Sequence, residues 1–169
     1  QASSSEQFGS APAPQNEHTP FHPRSPYGVA KTFAHHVVVN YRESYGIHAS
    51  TAIMFNHESP RRGEEFVTQK VAKAVNRIDR GALNTLYLGN LTALRDWGWA
   101  PDYMRALPMI AAQEKPDDFV LATGEAHSVE ELVGGMFAER DLDYEDFIGL
   151  DPALFRPADV EHLRGDASK

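Results

Sequence analysis

Apolar residues recur at Tyr27, Ala30, Ala34, Val37, Val38, Tyr41 and Tyr45, the spacing of one helix face, and Gly46 is a natural C-terminal stop. Ser25 is a good N-cap and Pro26 suits the first helical position, so the pattern predicts a long, half-buried helix. Residues 49–55 form a short apolar run with β-branched members, a buried strand; a helix running straight into it is a parallel α/β element. A loop over 56–63 leads to a second helix marked by Phe66, Val67, Val71, Val75 and Ile78 and closed by Gly81. A strand over 83–88, a loop over 95–100, a helix over 101–113 and a strand over 119–123 stopped by Gly124 follow. Ser128-Val129-Glu130-Glu131 is a capping-box pattern opening a helix to about Arg140. At the other end, residues 1–6 read as a strand running into a site, followed by a Pro/Gly-rich stretch over 9–26. The acidic tail from Asp141 has weak periodicity and reads as mostly irregular. Alternating strands and helices predict an α/β fold.

Composition narrows the function. With 169 residues, 41% hydrophobic and 24% charged, the chain suits one modest core. It holds no apolar run long enough to span a bilayer and no charged-then-apolar leader, so a cytoplasmic protein is the expectation. Zero cysteines exclude disulfides and thiolate metal sites. The net charge of −8 argues against a general nucleic-acid binder, which leaves any anionic ligand to a few placed arginines. His18 and His22 flank Pro20, and the adjacent His35 and His36 point apart, so no metal site is expected. Trp97 and Trp99 read as packing residues, because Asp96 and Asp102 leave no basic groove beside them. Met104 and Met109 read as helix core.

Candidate chemistry begins with Tyr27 and Lys31. Four apart on a helix, they share a face, and an ammonium beside a phenol in the first turns of a helix is an arrangement suited to a phenolic base. Alone, the pair equally fits an amphipathic helix face. Ser4 and Glu6, two apart on the expected strand, would project to one side; on composition they equally fit a turn hydroxyl and a solvated carboxylate. Arg61 and Arg62, followed by Gly63 ahead of a helix start, suit a phosphate held by guanidinium forks and free N–H groups, or simply a solvated loop.

The wider text adds a resemblance. Residues 1–9, Pro23-Arg24-Ser25-Pro26-Tyr27-Gly28-Val29-Ala30-Lys31, Phe55-Asn56-His57-Glu58-Ser59-Pro60-Arg61-Arg62-Gly63 and Arg95-Asp96-Trp97-Gly98 resemble, in order and spacing, the nucleotide-sugar branch of the extended short-chain dehydrogenase/reductases. Within that branch they resemble the GDP-mannose 4,6-dehydratases. The resemblance implies a partial Rossmann-like α/β fold: residues 1–60 as the C-terminal half of the NADP-binding domain, and 61–169 as mainly the interleaved nucleotide-sugar region. No Gly-x-Gly-x-x-Gly occurs, so the chain is expected to be a fragment lacking the Gly-rich first half. In the family's reaction a nicotinamide takes hydride from C4 of the sugar, C5 loses a proton, the C6 hydroxyl leaves as water, and hydride returns at C6. The resemblance then implies Tyr27 with Lys31 as the C4 base pair, Ser4 bonded to the same oxygen, and Glu6 as the C5 base. Family members more often have Thr where this chain has Ser4; Ser3 and Ser5 are lesser stand-ins. It places Asn56, Arg62, Glu65 and Lys70 in the GDP-mannose pocket, with Arg95 and Arg156 toward the pyrophosphate. Asn56, His57 and Arg62 join Tyr27 and Lys31 around the cofactor, implied to be NADP. A homo-oligomeric parent, dimer or tetramer, is implied. Two alternatives stay open: an epimerase or 4-ketoreductase of the same superfamily, which needs no carboxylate placed like Glu6, and a non-catalytic binding remnant.

Overall fold

In the computed structural model, which describes residues 1–155 and 158–169, strands and helices alternate in the order β1 (Ala2–Ser4), α1 (Pro26–Tyr45), β2 (Thr51–Met54), β3 (Asn56–Glu58), α2 (Val67–Asp79), β4 (Leu86–Leu88), β5 (Leu94–Arg95), β6 (Trp97–Trp99), α3 (Ala100–Ala111), β7 (Asp118–Leu121), β8 (His127–Ser128), α4 (Val129–Ala138), β9 (Ile148–Leu150) and β10 (His162–Leu163). β1, β2 and β7 form a parallel sheet in that order, with Ala2 opposite Ala52, Ser4 opposite Met54, and Met54 opposite Leu121. β3 pairs in parallel with β6, β4 with β9, and β5 lies between β10 and β8.

β2 is buried at every position, as a central parallel strand requires. Its alternation separates two cores: Ala52 and Met54 pack with Tyr103 and Ile110 of α3, while Ile53, with Phe55, meets Phe8, Val120, Val160 and Leu163 on the other face. A third core gathers Val71, Val75 and Ile78 of α2, Leu86 and Leu88 of β4, and Val133 and Phe137 of α4. α4 opens on the expected capping box, Ser128 Oγ accepting from Glu131 N at 2.9 Å and Glu131 Oε2 accepting from Ser128 N at 2.9 Å. Among the described residues no helix is long and apolar enough to cross a membrane.

Several expectations are corrected. The first strand ends at Ser4, and Glu6 sits in a 3-10 turn over Ser5–Gln7 that Ser4 caps; the hydroxyl of Ser4 competes for backbone N–H groups and turns the chain. The segments read as loops at 56–63 and 95–100 contain β3, the end of β5, and β6, and the irregular tail contains β9 and β10. Such two- and three-residue strands exist only through their partners and leave no periodicity to read. α1 spans the expected residues but turns its apolar set outward. Its inward side is fixed by polar contacts instead: Lys31 donates to Ala2 O at 2.8 Å, and Arg42 binds Asp118 through two bonds of 3.0 Å. Met104 and Met109 of α3 are 46% and 67% exposed, because Tyr103, Leu107 and Ile110 occupy the side facing β2 and β7. Trp97 packs against the α2/α4 core as expected, whereas Trp99 is exposed.

Candidate active site

The sheet brings two strand ends together, Ser4 of β1 beside Met54 of β2, and the segments leaving those ends open onto a cavity of about 790 Å³. The crevice beyond the carboxyl ends of parallel strands is where open α/β sheets hold ligands, since backbone groups and loop side chains converge there. Ser4, Glu6, Tyr27, Lys31, Asn56, His57, Arg62, Glu65, Lys70 and Arg95 all line this one cavity. Arg156 lies outside the described residues. Arg61, paired with Arg62 in the sequence reading, is not in the lining.

α1 is anchored at the site by Ser25, whose Oγ accepts from Gly28 N at 3.0 Å, with Pro26 in the first turn. This fixes Tyr27 and Lys31 at the cavity edge, and Lys31 Nζ lies 5.6 Å from the Tyr27 ring centroid. An ammonium has three donors; one is given to Ala2 O. Ser4 Oγ accepts from Glu6 N at 3.3 Å, so the turn sets their relation where strand alternation was expected to. Ser3 is a poor stand-in, because its buried hydroxyl donates to Gln7 Oε1 at 2.8 Å.

From β2 the chain passes Phe55 into β3. His57 Nδ1 stands 2.8 Å from Phe55 O, the contact of an N–H donor, and its ring stacks on Tyr103 with centroids 5.0 Å apart. Burial, with Asp96 and Asp102 adding to it, raises the Tyr103 phenol well above the ordinary tyrosine range, so it stays neutral beneath His57. The expected free N–H groups of the 56–63 loop are partly consumed: Arg62 N donates to Ser59 O, Arg61 N to Ser59 Oγ and Phe66 N to Gly63 O. Arg62 instead acts through its side chain, 3.2 Å from Glu58 and stacked on Phe66. Lys70 Nζ donates to Tyr87 O at 2.7 Å, and Arg95 Nη2 lies 3.4 Å from Asp159. Lys31, Arg62, Lys70 and Arg95 thus face Glu6, Glu58, Glu65 and Asp159 in one cavity, a local balance on a chain of net charge −8.

Glu58, Thr68 and Asp159 also line the cavity but do not stand out in the sequence as site candidates. Glu58 stood inside the Asn-His-Glu-Ser-Pro-Arg-Arg-Gly string and was the one of these with a signal. Beneath the site, the fully buried Asp96 accepts from Thr123 N and Oγ1, Gly124 N and Gly165 N, tying three segments together. Among the described residues no group of three acidic, histidine or cysteine side chains is placed to hold a metal.

Solved structures similar in fold include RMD from Pseudomonas aeruginosa complexed with NADPH, at TM-score 0.88 and 23% identity, covering 99% of this chain and 56% of that one. Another is dTDP-glucose 4,6-dehydratase from Bacillus anthracis in complex with NAD, at TM-score 0.84 and 20% identity, covering 99% and 52%. These neighbours have the extended short-chain dehydrogenase/reductase fold, and the chain is a partial, Rossmann-like version of it. In sequence it is 56% identical over 169 residues to GDP-mannose 4,6 dehydratase 2 of Arabidopsis thaliana, covering 100% of this chain and 45% of that protein. It is 49% identical over 187 residues to GDP-mannose 4,6-dehydratase of Sinorhizobium fredii, covering 100% and 53%. The chain therefore spans about half the length of the curated relatives it matches. The family model described as GDP-mannose 4,6 dehydratase matches residues 1–169. With its cavity at the carboxyl ends of β1 and β2 and a family match along its whole length, the chain belongs to the GDP-mannose 4,6-dehydratase family.

Proposed function

We propose that this chain carries the catalytic turn and the nucleotide-sugar pocket of an NADP-dependent dehydratase converting GDP-mannose to GDP-4-dehydro-6-deoxy-mannose. The observation that carries the reading is the convergence of ten residues, from Ser4 to Arg95, on one cavity at the strand ends. Tyr27 takes the C4 hydroxyl proton, with Lys31 beside it and Ser4 bonded to the same oxygen. Glu6 takes the C5 proton and returns it to the departing C6 hydroxyl, which leaves as water. Asn56, Arg62, Glu65, Lys70 and Arg95 hold the nucleotide sugar, guanidinium forks meeting its phosphates. The donor set suits a nicotinamide nucleotide: the two remaining Lys31 protons can meet ribose hydroxyls, and Asn56 and His57 close the strand end. When bound, that cofactor supplies the hydride acceptor at C4 and the donor at C6. Residues 1–60 then serve as the second half of the cofactor domain and 61–169 mainly as the sugar-nucleotide region. A cytoplasmic, homo-oligomeric enzyme, dimer or tetramer, completes the proposal, and the exposed apolar face of α1 supports its association.

Glu6→Gln tests the assignment in the chain completed with the remaining half of a relative. Gln keeps the shape of Glu but accepts no proton, so solvent deuterium should enter C5 about 10²–10⁴-fold more slowly, with GDP-mannose binding retained. Parental exchange and turnover would instead favour an epimerase or 4-ketoreductase, which keeps Tyr27 and Lys31 but has no use for Glu6. Arg62→Ala should weaken GDP-mannose binding by about 1.5–3 kcal/mol, through loss of a charge-assisted phosphate contact.

A further inference from the structure

Glu58 and Phe66 contact the Arg62 guanidinium, and Thr68 holds Glu58. Thr68, buried in the first turn of α2, donates its Oγ1 to Glu58 Oε2 at 2.6 Å, which fixes that carboxylate at the end of β3. The same oxygen lies 3.2 Å from Arg62 Nε. That distance is an ion pair's, but the direction falls outside hydrogen-bond geometry, so the buried Nε has no formal partner. The guanidinium carbon lies 3.5 Å over the Phe66 ring centroid, within cation–π range, and planar stacking holds a guanidinium in one plane. The terminal nitrogens of Arg62 bond no acceptor among the described residues, and the side chain lines the cavity.

We infer that Glu58, anchored by Thr68, is a positioning residue that sets the Arg62 guanidinium flat on Phe66, with its terminal nitrogens available as a ready-oriented fork for a ligand phosphate. The inference rests on the reading of Arg62 as a phosphate-holding residue and adds how that residue is aimed. Two effects of Glu58 oppose each other. Its negative charge lessens the pull of Arg62 on an anion, while its position removes the rotamer search that a free arginine would make before binding. Removing only the charge and removing the whole contact should therefore move affinity in opposite directions, a signature that a merely structural glutamate lacks.

The test uses the 169-residue chain labelled at arginine Nε, with the Arg62 signal assigned by its loss in Arg62→Lys. In the free chain, solvent exchange of the Arg62 Nε proton should be slow. Because Glu58 covers Nε without accepting its proton, exchange should quicken roughly tenfold in Glu58→Ala, which opens that position to water, and several-fold in Thr68→Val, which frees the carboxylate to move, and return to the parental rate in Thr68→Ser, which restores the hydroxyl. Titrated with inorganic pyrophosphate, Glu58→Ala and Thr68→Val should bind roughly 3–10-fold more weakly, whereas Glu58→Gln, which keeps the contact without the charge, should bind as tightly as the parent or more so. Equal exchange in all variants overturns the inference, as does undiminished pyrophosphate affinity in Glu58→Ala. Should Glu58→Ala fail to fold, the Thr68→Val and Thr68→Ser pair decides alone. If the exchange pattern appears but the parent chain binds no pyrophosphate, the positioning by Glu58 stands and the phosphate-holding role of Arg62 fails.

Discussion

His35 is the residue whose chemistry departs furthest from what its place in the sequence suggested. It is 7% exposed on the inner side of α1, edge-on to Phe21 and next to His36. Its Nε2 stands 3.7 Å from Asp118, but that carboxylate is already bound through two bonds to Arg42, and His35 Nδ1 has no partner. Burial therefore outweighs the attraction of Asp118 and lowers the imidazole below its ordinary 6.5, with His36 and Arg42 adding to the effect. A folded state that resists the proton is less stable wherever the unfolded chain takes it up. The contribution of His35 is thus present above 6.5 and is lost as pH falls from there through the lowered folded value. Urea midpoints should fall between pH of about 7.5 and about 5, and His35→Gln should flatten that part of the profile. A parental slope in that variant would assign the pH dependence to other groups. In the sequence His35 stands out only as a metal candidate, because its burial and the prior claim of Arg42 on Asp118 are facts of tertiary contact.

At the scale of elements, the approach of α1 to the turn that carries Glu6 depends on Gly28. A Cβ there would stand 2.7 Å from Glu6 O and 3.1 Å from Pro23 Cβ, closer to backbone than real side chains come. Two effects compete in Gly28→Ala. Alanine is the better helix former by about 1 kcal/mol, but forcing the turn away from the helix costs about 1–3 kcal/mol. The clash should win: the variant should melt lower and move Glu6 away from Tyr27 and Lys31. In the completed enzyme, turnover should fall more than nucleotide-sugar affinity, because Arg62, Lys70 and Arg95 stand on other elements. A variant more stable than the parent and equally active would show that the turn yields without cost. Much at this scale was legible. α1, α2, α3 and α4 lie where periodicity and capping residues put them, since those signals are local. β3, β5, β6, β9 and β10 were not, because strands of two or three residues are defined only by distant partners.

For the whole molecule, the outer face of α1 matters most. Val29, Phe33, Val37, Tyr41 and Tyr45 follow one another at four-residue steps and are exposed, Phe33 at 71% and Tyr45 at 69%. A contiguous apolar stripe of this kind favours association. The isolated chain should self-associate in sedimentation velocity as its concentration rises, and Phe33→Lys with Tyr41→Lys should shift it toward monomer without lowering its melting temperature. A parent that stays monomeric at every concentration would contradict this. The sequence determined that the chain alternates helix and strand, where the helices run, and, through the Asn-His-Glu-Ser-Pro-Arg-Arg-Gly string and its neighbours, which family it belongs to; these depend on local spacing and residue identity. Only the tertiary structure decided which side of α1 faces the sheet, that Glu6 rides a turn and not a strand, and that Thr68 holds Glu58 against Arg62. Each of these follows from contacts that long-range packing creates, between side chains whose own sequence neighbourhoods were equally compatible with another arrangement.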